Sequence, residues 1–64
     1  MDVRLFDHGS IIGFAPVTEQ AEQWFADNVA TEGWQWMGGC LMVDARLARD
    51  LMQGLIDHGL ELGT

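Results

Sequence analysis

The sequence predicts an α+β two-layer sandwich, a small mixed sheet with two helices on one face, in the order β-β-α-β-α with room for a final β. Three observations predict it. Two short apolar runs near the N-terminus are separated by Asp7-His8-Gly9-Ser10, a turn-forming group. Two later stretches repeat apolar residues at helical spacing. Between them stands Cys40-Leu41-Met42-Val43, an unbroken apolar run of the kind found in interior strands. A helix joining two strands requires a crossover, and its right-handed sense brings both helices to one sheet face. The other face is left without a second layer.

Val3-Arg4-Leu5-Phe6 and Ile11-Ile12-Gly13-Phe14-Ala15 form the expected antiparallel hairpin, with its turn at Gly9 and Pro16 closing the second strand. Gly13 marks a bulge or the close approach of a packed helix. Thr18 caps the first helix, because its hydroxyl can accept a free first-turn N–H, and Glu19 suits the positive end of the dipole. Ala21, Trp24, Phe25 and Val29 make the apolar face of that helix, which ends near Val29 or Ala30. The next strand lies within Trp34–Val43, and Gly38-Gly39 marks a turn, a bulge or a close backbone approach. Asp44 caps a second helix from Ala45 to His58, with Leu47, Leu51 and Leu55 as its apolar ridge and Ala48 and Met52 beside them. Arg46 and Asp50, one turn apart, are spaced for an exposed ion pair. Gly59 suits the left-handed position after that helix, letting Leu60 fold back on Leu55. Leu60-Glu61-Leu62 is long enough for a last short strand.

The chain of 64 residues reads as one domain, 1–64, and its 48% hydrophobic content excludes disorder as the main state. So small a chain buries only about 60% of its unfolded surface, which leaves it marginal or dependent on self-association. Three arginines and no lysine face ten carboxylates, for a net charge of −7. That balance argues against direct binding to nucleic acid or to an anionic membrane, since both need cations at their phosphates. No basic-then-apolar leader opens the sequence and no apolar run approaches membrane-spanning length, so a cytoplasmic address is expected.

Chemistry is sparsely provided for. His8 and His58 each neighbour an aspartate, Asp7 and Asp57, but adjacent residues on a strand or helix point apart and make no dyad. Cys40 sits in an apolar run without a cation nearby, as a buried, inert thiol would. The glycines match no phosphate-binding loop, and no Cys/His set has zinc spacing. No enzyme, cofactor or metal is therefore expected.

Two features point to binding instead. Glu19, Glu22 and Asp27 on the first helix, and Asp50 and Asp57 on the second, would give the helix layer a broad negative surface, with Glu32 and Glu61 at its margins. Trp24 belongs to the core. Trp34 and Trp36, two apart, share one face of a strand and either shield the open side of the sheet or anchor a partner.

His8-Gly9-Ser10 before a strand, Pro16-Val17-Thr18 into a helix, Trp24 with Asn28-Val29, Gly38–Val43 before the second helix, and Asp57-His58-Gly59-Leu60 run through most of the chain. In these turns and core positions it resembles a family of small, mostly uncharacterised proteins of phages, plasmids and proteobacterial genomes. Small acidic proteins of such elements include anti-CRISPR inhibitors, some of them DNA mimics. The resemblance implies a setting and assigns no site residue. Together with the charge, it makes a non-enzymatic inhibitor of host defence the leading expectation. Glu19, Glu22, Asp27, Asp50 and Asp57 would occupy the cationic groove of a nucleic-acid-binding partner such as a CRISPR surveillance complex. The alternative is an assembly module that forms a homodimer through an aromatic sheet face around Trp34 and Trp36.

Overall fold

The computed structural model describes residues 1–29 and 35–64. Its elements are β1 (Val3–Asp7), β2 (Ile11–Pro16), α1 (Glu19–Asn28), β3 (Gln35–Met37), β4 (Cys40–Asp44), α2 (Ala45–Asp57) and β5 (Leu62–Gly63). The five strands form one mixed sheet in the order β3-β4-β2-β1-β5, with only the β1–β5 pair parallel. The α+β class, the mixed sheet, both helices and the final short strand are as the sequence predicts.

Both helices are crossovers. α1 carries the chain from β2 over β4 to β3, and α2 carries it from β4 over β2 and β1 to β5. These connections start on antiparallel strands and move in opposite directions along the sheet, so a common right-handed sense puts both helices on the same side. There Ala21 and Phe25 of α1 and Ala48 and Leu55 of α2 close over Val3, Phe14, Leu41 and Val43 of the sheet. Phe14 and Phe25 meet edge to face with ring centroids 6.3 Å apart. At full burial, each large apolar side chain of this cluster contributes about 1.5–3 kcal/mol.

The local signals act as expected at three joints. The Thr18 hydroxyl accepts the Ala21 N–H at 3.2 Å, and the Asp44 carboxylate accepts the Arg46 N–H at 2.9 Å. After α2, Gly59 adopts φ +85° while its N–H reaches the Ile56 carbonyl and that of Leu60 reaches the Leu55 carbonyl. That paired pattern is the Schellman end. It turns buried Leu60 into the core beside Leu55.

Elsewhere the structure corrects the sequence reading. The stretch expected to contain one strand holds two, β3 and β4. Gly38 and Gly39, at φ +58° and +82°, make the turn that is one of the alternatives their sequence allows, since successive positive φ angles match the twist of a hairpin. Gly13 makes no bulge and meets no helix: its pairing with Phe6 and Met42 is continuous, and an added Cβ would lie 3.3 Å from Met42 Sδ on the sheet's open face. Leu47 does not belong to the buried ridge. It is 54% exposed, because Ala48 and Leu55 occupy the centre of the inward face. Arg46 pairs with Asp44, its Nε 3.2 Å from the carboxylate, rather than with Asp50.

Candidate partner-binding surfaces

The ten carboxylates divide by what holds them. Asp7 accepts the Gly9 N–H at 2.8 Å and so fixes the β1–β2 turn. Asp44 caps α2, and its pKa is held below the ordinary carboxylate value, first by the hydrogen bond from the Arg46 side chain and then by that from the Arg46 N–H. Asp2 joins three segments. One of its oxygens accepts the Thr18 hydroxyl at 2.9 Å, and the other accepts the Glu61 N–H at 2.8 Å. The bond from Glu61 is the larger cause, and that from Thr18 the lesser, of a lowered Asp2 pKa. Glu61 lies 3.4 Å from the Met1 amino nitrogen. Asp2 could not be singled out in the sequence, because its partners lie 16 and 59 residues away.

The remaining predicted carboxylates stand on the helices. Glu19, Glu22 and Asp27 are exposed along α1, whose sequence EQAEQWFADN contains no cation. Gln20 and Gln23 interleave with them, and Gln23 donates to Asp27 at 2.9 Å. Asp50 and Asp57 are exposed on α2, where Asp57 accepts from Gln53 at 2.9 Å. Asp50, however, shares a shallow surface depression with Arg46 and Arg49. Two of the chain's three arginines therefore stand on α2, and the negative surface is carried mainly by α1. Glu32 and Trp34 lie outside the described residues.

Trp36 is not on the open face of the sheet. It pairs with Leu41, whose side chain is in the core. Directly paired residues project to one side of the sheet, so the Trp36 ring stands on the helix side, edge to face with Phe25 at 5.9 Å. Trp24 is half-buried between the helices, its ring against Gly54 and edge to face with Phe25. The open face is built instead from Phe6, Ile11, Ala15, Met37, Cys40 and Met42, as the strand registers require. Of these, Phe6 and Met37 are 38% and 64% exposed. Cys40 is half-buried there, not enclosed in the core. Arg4 crosses this face with its guanidinium 5.7 Å from the centre of the Phe6 ring.

Among the described residues no three His, Cys, Asp or Glu side chains gather as a metal site, and no helix is long and apolar enough to cross a membrane. His8 and His58 stand apart, in the β1–β2 turn and at the end of α2. Comparison with known protein families, curated proteins and solved structures finds no match to the chain.

Proposed function

We propose that the protein is a non-enzymatic inhibitor of host defence, of the anti-CRISPR kind, that occupies a cationic nucleic-acid-binding groove with the acidic side of its helix layer. The observation that carries this is α1: three exposed carboxylates, Glu19, Glu22 and Asp27, on a helix without a cation, in a chain of net charge −7. Lysines and arginines that normally meet DNA phosphates would pair with these carboxylates, with Asp57 and Asp50 contributing from α2. Occupation of the groove then excludes DNA sterically. The phage or plasmid setting is part of the proposal and rests on the resemblance of the turn and core motifs in the sequence alone.

The test is DNA binding by purified CRISPR surveillance complexes titrated with the protein. Glu19→Gln, Glu22→Gln and Asp27→Asn combined should abolish inhibition while circular dichroism stays unchanged, because exposed near-isosteric changes cost little stability. A triple variant that inhibits as well as the wild type removes the electrostatic mechanism. Failure of the wild type on every complex removes the anti-CRISPR assignment.

A second reading, an assembly module, is favoured by the open sheet face. Among the described residues its aromatic member is Phe6 rather than Trp36, and it shares the face with aliphatic and sulfur side chains. Stacking that face on a second copy would bury it as in a sandwich. Sedimentation equilibrium decides: a dimer that Phe6→Ser with Met42→Ser converts to monomer supports this reading, and a monomeric wild type excludes it.

A further inference from the structure

Between α1 and the β3–β4 hairpin, Pro16, Phe25, Ala26, Trp36 and Gly39 line an open depression, with Glu22 as its charged side chain. Ala26 and Gly39 are its smallest lining residues, and Trp36, packed edge to face with Phe25, remains 42% exposed. Among the described residues the Glu22 carboxylate has no hydrogen-bond or ion-pair partner. An exposed indole and an unengaged carboxylate thus share one small concavity.

We infer that this depression receives an arginine side chain from a protein partner. The guanidinium would lie against Trp36 and donate to Glu22. An anion is repelled by Glu22 and by the net charge, and a purely apolar side chain would desolvate the carboxylate without compensation. Lysine satisfies the charge but brings a strongly hydrated point cation. Arginine is planar, less hydrated, stacks on aromatic rings and offers several donors in fixed geometry. Cationic nucleic-acid grooves are rich in such side chains. The inference rests on the acidic-surface proposal and deepens it, since it names the anchoring contact within that surface.

The experiment is a nitrogen–proton NMR titration of the full chain with N-acetyl-arginine amide, and in parallel with N-acetyl-citrulline amide, its neutral isostere. The Trp36 indole signal is assigned by its loss in Trp36→Phe. Arginine amide should shift the Trp36 indole and the Ala26 and Gly39 amides, and citrulline amide should not. Glu22→Gln, an exposed change that leaves the fold intact, should weaken those shifts roughly two- to five-fold, the range of an exposed cation–π or charge-assisted contact. Equal shifts from citrulline amide overturn the inference, and so does an arginine response unaffected by Glu22→Gln. Shifts confined to Glu19, Gln23 and Asp27, without Trp36, also overturn it but leave the acidic surface standing. No response at any α1 residue counts against both.

Discussion

Replacing Gly59 isolates a single energetic term. The residue holds φ +85°, and an added Cβ would meet nothing within 4 Å. Substitution therefore causes no clash, and its cost is the backbone strain of a left-handed L-residue, about 1–2 kcal/mol. Gly59→Ala should lower the melting temperature by roughly 4–16 °C, since each kcal/mol is worth about 4–8 °C in a domain of this size. Gly59→Asn should cost less, because Asn tolerates the left-handed region, and the β-branched Gly59→Val should cost more. The strain is not dissipated locally. Release of this turn would free the Leu60 N–H from Leu55 and withdraw Leu60 from the core. It would also loosen Glu61 from Asp2 and Leu62 from Val3. Thermal unfolding followed by circular dichroism measures the series. Melting temperatures for Ala and Val equal to that of the wild type would mean that the end of α2 does not depend on the left-handed turn.

Three further outcomes follow from particular side chains. Asp2 and Asp44 have lowered pKa values in the folded state, so their stabilisation is present above the unfolded value near 3.8 and is lost as pH falls through the folded values. Acid unfolding curves of the wild type and of Asp2→Asn with Asp44→Asn should therefore draw together as pH falls below the unfolded value and through the folded ones; a stability gap that widens in acid contradicts this. Cys40, half-buried on the open face, should react with a thiol reagent in the native protein, more slowly than a free cysteine but without global unfolding; labelling only at the rate of unfolding would place it in the core. On α2, Leu55→Ala should cost about 2–5 kcal/mol and Leu47→Gln less than about 0.5 kcal/mol by urea denaturation, and equal costs would show that Leu47 is buried after all.

What could be read in the sequence was local. Thr18, Asp44 and Gly59 act on groups within five residues, so residue type and spacing suffice to identify both N-caps and the end of α2. Helical periodicity likewise gives α2 an apolar stripe. It does not say where the stripe is centred, and small Ala48 rather than larger Leu47 lies beneath it. Alternation puts Trp34 and Trp36 on a common face without saying which. For Trp36 the register set by the Gly38-Gly39 turn decides it, pairing Trp36 with Leu41 on the helix side. The groove joining Trp36 to Glu22, and the Asp2 carboxylate between Thr18 and Glu61, depend on tertiary placement and leave no local signature.

In the proposed function, carboxylates of the helix layer compete with DNA phosphates for cationic side chains. The most direct measurement of that competition is the apparent affinity of a surveillance complex for DNA, with increasing amounts of the protein, at low and at moderate salt. Inhibition should be purely competitive: DNA affinity falls in proportion to added protein, and the inhibition constant rises steeply with salt because exposed charge pairs are screened. Inhibition that is insensitive to salt, or that persists at saturating DNA, would contradict it.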